Sequence, residues 1–254
     1  MPKIPQQAER RYEIYNESCF ETFKRIPSGS VDMILCDPPY ATTQNSWDSV
    51  IPLVRMWMEL KRVIKRNRAI VLMANQPFVS LLITSQPNLY AYDWIWEKSN
   101  KTGALNVSRR PLRGHEHILV FGNNPRYFPQ GLVKIHAPIT KQPEKSRNTA
   151  SYGKVDNLPY TPRFRNYPIS IIKEATEGNH EHPTQKPVAL MEYLIKTYTR
   201  ENELVLDFAM GSGTTGVAAG NLNRRFVGCD NDTEFGYFAI AERRIREAYE
   251  KGKT

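Results

Sequence analysis

Short apolar runs alternate along the chain with segments in which apolar residues recur at helical spacing. Residues 31–36 (VDMILC) are an apolar run bounded by Pro-containing turns, which predicts a buried strand that ends abruptly. Strands that alternate with helices predict an α/β fold with a mainly parallel sheet. The predicted helices are 51–65, 78–85, 188–198, 214–221 and 234–250. Besides 31–36, the predicted strands are 68–74, 92–96, 118–121, 204–208 and 225–229.

The regular pattern is interrupted once, over residues 122–181. This segment is rich in Pro, Asn, Gly, Tyr and Arg and has weak periodicity, which predicts an irregular insert or small subdomain. Order returns at Pro187, which suits the first position of the following helix. We therefore predict two halves of one domain, 1–122 and 182–254, that flank an insert over 123–181.

Length, charge and cysteine usage narrow the function classes. The 254 residues suffice for one domain with a small insert, and a formal net charge of +9 favours a polyanionic partner. Cys19, Cys36 and Cys229 lack the spacing of a zinc site or a disulfide framework. The N-terminus has no signal-peptide core, and no apolar run reaches the roughly 18 residues of a membrane span. We expect a cytoplasmic protein that needs no metal and no membrane.

The tetrapeptide Asp37-Pro38-Pro39-Tyr40 directly follows the first buried strand. Ligands of open α/β sheets bind beyond the carboxyl ends of strands. The two prolines stiffen the backbone, so that the Asp37 carboxylate and the Pro38 carbonyl are fixed acceptors beside the aromatic ring of Tyr40. Two acceptors and a stacking plane suit an aromatic amine that donates both hydrogens while its nitrogen attacks an electrophile. The plainer interpretation is a strand-terminating turn.

A glycine-rich turn, Gly211-Ser212-Gly213, lies between a predicted strand and a predicted helix. Such glycines let a ligand approach the backbone and let the strand and the helix pack closely. The turn lacks the full G-x-G-x-x-G pattern and the Gly-Lys-Ser/Thr of a phosphate loop. Asp230 ends the next predicted strand, where an acidic residue commonly holds a ribose hydroxyl pair. Its plainer interpretation is a solvated strand-end aspartate.

Together these motifs resemble the amino-group DNA methyltransferases of the β arrangement. In that family the catalytic Asp-Pro-Pro-Tyr comes first, the target-recognition insert next and the cofactor turn last, and this sequence has that order. Residues 182–187 (HPTQKP) are similar to the motif that precedes the cofactor turn. The resemblance covers most of the chain outside the insert. It implies a circularly permuted Rossmann-like fold with a mostly parallel, doubly wound sheet, and S-adenosylmethionine as the cofactor.

The resemblance also implies roles for individual residues. Asp37 and Pro38 would bind the target amine, within a catalytic turn that includes Pro39, and Tyr40 would stack on the flipped base. Phe208 departs from the family pattern, because its aromatic ring comes one position early. The implied cofactor-binding residues are Asp207, Phe208, Gly211, Ser212, Gly213 and Thr214 at the turn, Asp230 at the ribose, and Thr184 and Lys186 on the methionine side.

Double-stranded DNA is the expected substrate, and one stretch is suited to its phosphates. Residues 98–115 contain five basic residues and no acidic one, together with Asn and Gly, which predicts a basic loop. The insert adds Arg, Asn and Gln side chains of the types that read base edges. The predicted phosphate-contacting residues are Lys98, Lys101, Arg109, Arg110 and Arg113.

Two other groups of polar residues receive plainer interpretations. The motif His115-Glu116-His117 has ligand-like spacing but no third ligand nearby, which favours ordinary strand-edge histidines. Cys36 lies inside the first buried strand with no base in view, so we predict a core residue and not a nucleophile.

Several functions remain open at this point. N6 of adenine is the first choice of target, because the family more often has Asp at the position of Asp37 for adenine and Ser for N4 of cytosine. Methyltransferases of RNA or of protein glutamine typically have Asn there. A catalytically silent DNA-binding module also fits the sequence. Homodimers are common in the family, and a restriction endonuclease would be a separate partner, since no nuclease motif occurs in the chain.

Overall fold

The computed structural model describes residues 11–39, 51–141, 159–174, 185–232 and 234–251. Ten strands and six α-helices occur in these residues. The strands are β1 (Tyr12–Asn16), β2 (Val31–Cys36), β3 (Ile64–Ala74), β4 (Tyr90–Thr102), β5 (Arg113–Phe121), β6 (Val133–Lys134), β7 (Phe164–Arg165), β8 (Ile171–Ile172), β9 (Leu204–Asp207) and β10 (Arg225–Asp230). The helices are α1 (Cys19–Arg25), α2 (Leu53–Val63), α3 (Phe78–Ser85), α4 (Val188–Tyr198), α5 (Thr214–Asn221) and α6 (Tyr237–Lys251).

The main sheet has eight strands in the order β1-β10-β9-β2-β3-β5-β4-β8. The first five of these strands are parallel to one another, and β5 runs antiparallel to both β3 and β4. Since β5 enters the sheet in the opposite direction, its first residues lie at the edge where the parallel strands end. His117 of β5 accordingly pairs with Ala74, the last residue of β3.

Within the described ranges, three helices cover each face of the sheet. Alternate residues of β2 point to opposite faces, as the pleat of a strand requires. Met33 and Leu35 pack with buried residues of α4, α5 and α6, whereas Ile34 and Cys36 pack with buried residues of α1, α2 and α3. This arrangement confirms the predicted α/β fold with a mostly parallel, doubly wound sheet.

Elements with a continuous apolar pattern begin and end where the sequence predicts. The strand over 31–36 and the helices over 78–85, 188–198 and 214–221 have the predicted bounds. The predicted helix over 51–65 is shorter, because β3 already begins at Ile64. Pro187 is the N-cap residue of α4 and not its first helical residue. The strand β1 and the helix α1 were not predicted.

The sequence separates into two compact units, one of residues Met1–Phe128 with Ser170–Thr254 and one of residues Pro129–Ile169. The second unit contains the short antiparallel pair of β6 and β7, in which Val133 faces Arg165. It is shorter than the insert predicted over 123–181, because β8 joins the main sheet beside β4. No helix within the described part of the chain is long and apolar enough to cross a membrane.

Candidate active site

The candidate site lies at the end of the sheet where the parallel strands have their carboxyl ends, which we call the carboxyl edge. The neighbouring parallel strands β2, β9 and β10 end at this edge, which places Asp37, Asp207 and Asp230 along it. The antiparallel strand β5 begins here, and its partner β4 runs past the same edge, with Trp96 opposite Glu116. Carboxylates from the parallel strands therefore meet charged residues of the β4–β5 hairpin.

Asp37 is held by one of its two carboxylate oxygens. The ammonium group of Lys186 donates a hydrogen bond to Oδ2 of Asp37, while Oδ1 is buried and has no hydrogen-bond partner within the described segments. Burial raises the pKa of Asp37 above its ordinary value, and the positive charge of Lys186 opposes this rise. The result is an oriented carboxylate with one oxygen anchored and the other available as an acceptor.

Glu116 is a site residue that sequence reasoning missed. Its carboxylate is buried, forms an ion pair with Lys98 through Oε1, and lies 3.4 Å from Nζ of Lys186 through Oε2. Burial would raise the pKa of Glu116, but the two lysines outweigh burial and hold the pKa below its ordinary value. A lone acidic residue at the start of an apolar strand was the available signal, and it was interpreted only as the centre of a histidine pair.

The glycines of the cofactor turn serve two different purposes. Gly211 has a φ of 49°, and a Cβ added to it would meet nothing within 4 Å, so that this side of the turn is open to a ligand. Its N–H donates to Oδ2 of Asp230 at 2.7 Å. Gly213 has a φ of 79°, and a Cβ there would lie 2.9 Å from atoms of Ala241 and Ile245. Gly213 therefore lets α5 pack against α6.

Asp207 lies beneath the turn in a buried position. It accepts a hydrogen bond from the N–H of Ala209 at 3.1 Å and further hydrogen bonds from Thr215 and Cys36. Burial is the largest influence and raises the pKa of Asp207 to about 6, although these donors oppose the rise. The carboxylate of Asp207 thus holds the turn in place from below.

The neighbours of Asp207 in the turn are mostly buried. The ring of Phe208 packs 5.9 Å from that of Phe23 in the core, which accounts for the shifted position of this aromatic residue. The guanidinium of Arg244 donates to the carbonyl of Ser212 at 2.6 Å and lies 3.4 Å from the hydroxyl of Thr214. These contacts fix the start of α5 with respect to α6.

Pro38 is buried and Pro39 is half-buried at the end of β2. The predicted residues Tyr40 and Thr184 lie outside the described residues. Cys36 is confirmed as a core residue, because it is buried and burial raises the pKa of its thiol well above the ordinary value. Its thiolate form is therefore disfavoured, which argues against a nucleophilic role.

The prediction of a loop over 98–115 is wrong at both of its ends. β4 continues to Thr102 and β5 begins at Arg113, so that the two strands pair beyond the edge of the sheet and enclose a short 3₁₀ turn at Ala104–Asn106. Lys98 lies in β4, where its side chain pairs with Glu116. The side chains of Lys101, Arg109, Arg110 and Arg113 are exposed.

The histidines beside Glu116 belong to the other face of β5. Nδ1 of His117 is 3.1 Å from Oδ2 of Asp93, and the rings of His115 and His117 are 5.4 Å apart. In the segments that the structure describes, no group of three or more His, Cys, Asp or Glu side chains is placed to hold a metal ion.

Comparison with known protein families shows which family the chain belongs to. The family model N6_N4_Mtase, described as "DNA methylase", matches residues 31–243. The chain belongs to the N6/N4 DNA methylase family. The Type II methyltransferase M.HpaI of Haemophilus parainfluenzae is 26% identical over 241 residues, which cover 90% of this chain and 72% of that protein. The Type II methyltransferase M1.MboII of Moraxella bovis is 27% identical, with 88% and 93% covered.

Solved structures of other methyltransferases share the fold. The chain aligns with M1.HpyAVI in its complex with S-adenosylmethionine at a TM-score of 0.61 and 25% identity, covering 92% of this chain and 99% of the other. The PvuII DNA methyltransferase, described as cytosine-N4-specific, aligns at a TM-score of 0.62 and 16% identity, with 95% and 92% covered. This methylase thus has the fold of an S-adenosylmethionine-dependent DNA methyltransferase.

The turn at the carboxyl edge fits this cofactor. Gly211 leaves open space where a ligand can approach its backbone, and the half-buried carboxylate of Asp230 accepts a hydrogen bond from the Gly211 N–H beside that space. Asp37 lies beyond the end of β2, which pairs with β9 in the same part of the sheet. When bound, the cofactor supplies an electrophilic methyl group on a sulfonium. The individual cofactor contacts of Asp207, Gly211, Ser212, Gly213, Thr214, Asp230 and Lys186 stay predictions.

Proposed function

We propose that this methylase transfers the methyl group to N6 of adenine in double-stranded DNA, after the base has been flipped out of the duplex. The observation that carries the proposal is the state of Asp37, whose Oδ2 is anchored by Lys186 and whose Oδ1 has no hydrogen-bond partner in the described residues. The identity of the residue at this position supports adenine, since relatives that modify cytosine more often have Ser there.

Asp37 and Pro38 would position the amine for attack. Oδ1 of Asp37 would accept one amine hydrogen and the carbonyl of Pro38 the other, which leaves the nitrogen directed at the methyl group. As the new N–C bond forms, the S–C bond of the sulfonium would break and leave a neutral thioether. The negative charge of Asp37 would stabilise the positive charge that grows on the nitrogen until one amine proton is released to solvent. Much of the acceleration would come from this orientation, since reacting groups that are held in place avoid the entropy cost of meeting.

The decisive experiment is mass spectrometry of nucleosides after unmethylated DNA has been incubated with the protein and S-adenosylmethionine. N6-methyladenine is the expected product, and N4-methylcytosine would overturn the choice of base. Asp37→Ala should abolish transfer while calorimetry still detects cofactor binding. Asp93→Asn is a matched control, because Asp93 is a partly exposed carboxylate that pairs with His117 away from Asp37. Near-normal turnover of Asp37→Ala would refute the assignment.

We further propose that the β4–β5 hairpin contacts DNA phosphates. Beyond the level of Glu116 and Trp96 the two strands continue as far as Thr102 and Arg113, where they pair again. A strand rises about 3.3 Å per residue, so that the hairpin projects past the candidate site. Its exposed cations Lys101, Arg109, Arg110 and Arg113 suit phosphate contacts. Lys98 is left out of this set because its ammonium pairs with buried Glu116.

A role of the segment 123–181 in reading the DNA target stays a prediction, as do a homodimer, a separate restriction endonuclease and a cytoplasmic location.

A further inference from the structure

Four charged side chains form a chain of alternating sign at the candidate site. Lys98 pairs with Glu116, Glu116 approaches Lys186 at 3.4 Å, and Lys186 pairs with Asp37. They come from β4, from β5, from the segment before α4 and from the end of β2. Two cations and two anions cancel, so the cluster is neutral as long as all four groups are ionised.

We propose that Glu116 is a positioning residue for methyl transfer, which holds Lys186 against Asp37 and cancels the charge of one of the two lysines beside the target amine. This inference rests on the proposed function, because it concerns the same acceptor and the same amine. Glu116 acts through Lys186 and Asp37 and does not itself contact the substrate.

The first part of the argument is geometric. Lys186 lies between two carboxylates, Oδ2 of Asp37 and Oε2 of Glu116. A lysine side chain has four rotatable carbon bonds and is poorly fixed by a single partner. With Glu116 on its other side, Lys186 keeps Oδ2 of Asp37 occupied, and Oδ1 is left as the acceptor for the amine.

The second part is electrostatic. During transfer, positive charge moves from the sulfonium towards the amine nitrogen, which is next to Asp37. Without the charge of Glu116, two lysines would face one carboxylate, and the cluster would carry a net positive charge. A positive charge in a buried site opposes the arrival of another far more strongly than it would in water. Glu116 therefore lowers the electrostatic cost of the positive charge that develops on the amine nitrogen.

Among the residues that the structure describes, few other titratable groups face Glu116. Lys98 faces it from β4, Lys186 faces it from the segment before α4, and Asp37 lies beyond Lys186. Its neighbours on β5, His115 and His117, point to the opposite face because side chains alternate along a strand. Changes of pH that affect the cluster are consequently expected to act through Asp37 and Glu116.

The test is a charge-compensation cycle of Glu116→Gln, Lys98→Met and the double variant. Glu116→Gln keeps the shape of the side chain and should lower kcat by roughly 10- to 100-fold, the order expected for one unit charge about 6–10 Å away at an effective dielectric constant of about 20. The double variant removes one charge of each sign and should recover part of this loss. A double variant no faster than Glu116→Gln would contradict the charge argument.

The pH dependence provides a signature that a merely structural role would not produce. Glu116 raises the pKa of Asp37 and Lys98 lowers it. The acidic limb of kcat should therefore move to lower pH in Glu116→Gln and to higher pH in Lys98→Met. His115→Gln, a change on the other face of β5, should leave the limb in place. An acidic limb of kcat at the same pH in all variants would overturn the inference.

A titration without turnover separates this inference from the proposed function. In cofactor-free protein, ¹³C NMR of the Asp37 carboxyl should show a lower midpoint in Glu116→Gln and a higher one in Lys98→Met. If the wild-type protein methylates no base, the proposed function fails, while these midpoints still test the coupling. If Glu116→Gln does not fold, Lys98→Met and the double variant supply the same comparison. Unchanged midpoints would sink the inference.

Discussion

At the scale of single residues, the buried carboxylate of Asp207 shows how a strand end is fixed beneath a ligand-binding turn. It accepts hydrogen bonds from the N–H of Ala209, from Thr215 of α5 and from Cys36 of β2. Three parts of the chain thus converge on one side chain. Since its pKa is raised to about 6 by burial, the folded protein binds a proton at Asp207 more readily than the unfolded chain does.

This difference predicts a pH-dependent stability that Asp207→Asn should remove. A carboxyl group whose folded pKa is raised favours the folded state when protonated, so its contribution is lost as the pH rises towards about 6 and beyond. The variant should gain about 2 kcal/mol relative to the wild type between pH 4.5 and 7.5. Urea unfolding at these two pH values measures the effect. A constant difference between the two proteins would contradict it.

The two carboxylates of the candidate site, Asp37 and Glu116, differ in how readily the sequence reveals them. Asp37 follows an apolar strand and precedes two prolines, so that its local context already predicts a fixed acceptor. Glu116 has no such context, because its partners Lys98 and Lys186 lie in other elements and meet it only when the sheet is assembled. A contact that depends on the order of strands is not encoded in local spacing.

At the scale of elements, Gly211 and Gly213 form a matched pair of glycines with left-handed φ. Alanine at either position adds backbone strain of about 1 kcal/mol. At Gly213 the new Cβ would also lie 2.9 Å from Ala241 and Ile245 of α6, whereas Gly211 faces open space. We predict that Gly213→Ala destabilises the protein by about 2–4 kcal/mol, against about 1 kcal/mol for Gly211→Ala.

Chemical denaturation and calorimetry with S-adenosylmethionine together test this pair. Gly211→Ala should mainly weaken cofactor affinity, because its Cβ would enter the open space in which we predict that the cofactor binds. If both variants lost equal stability, the packing of α5 on α6 would not explain Gly213.

The β4–β5 hairpin makes a separate prediction about DNA. Reversing the charges of Arg109, Arg110 and Arg113 to Glu should weaken DNA binding and flatten its dependence on salt, because fewer counterions are released. Fluorescence anisotropy over a range of salt concentrations measures both quantities.

A control with the same change of charge is available near the amino ends of the parallel strands, away from the candidate site. Lys61, Arg66 and Arg225 are exposed near the end of α2 and the starts of β3 and β10. Their reversal should affect DNA binding much less. Equal losses from the two triple variants would mean that net charge, and not the hairpin, governs binding.

The elements also show where sequence patterns are sufficient. The fully buried strand β2 and the mostly buried helix α5 have sequence patterns that fix their bounds. β4 and β5 extend further than predicted, because their outer residues are exposed and are held by pairing with each other. β1 was missed because it is a half-buried edge strand of five residues.

At the scale of the whole molecule, the two ends of the parallel strands differ in function: the carboxyl ends carry the candidate site, and the amino ends stabilise the sheet. The edge opposite the site has an ion-pair network in which Arg68 contacts Asp32 at 2.9 Å and Glu203 at 2.7 Å. Lys65 also approaches Asp32, at 2.8 Å. The network links β2, β3 and the turn before β9, and two of these strands, β2 and β9, lead to Asp37 and Asp207 at their far ends.

Arg68→Met should therefore lower the free energy of unfolding by about 3 kcal/mol, because it removes one partner of buried Asp32. The pH profile of kcat should be unchanged. Arg66→Met is the control, because Arg66 is an exposed residue of the same strand. Thermal unfolding and steady-state kinetics test the two variants. A shifted pH profile in Arg68→Met would show that the two edges are coupled.

The single available oxygen of Asp37 has a consequence for how the reaction ends. In the proposed arrangement, one of the two hydrogens of the primary amine would bond to Oδ1 of Asp37 and the other to the carbonyl of Pro38. Once the nitrogen carries a methyl group, only one hydrogen remains, and one of the two acceptors loses its partner. An unpaired buried acceptor costs about 1–3 kcal/mol. The pair of acceptors proposed for the substrate amine would thus bind the methylated product less tightly, so that we expect one methyl group per base.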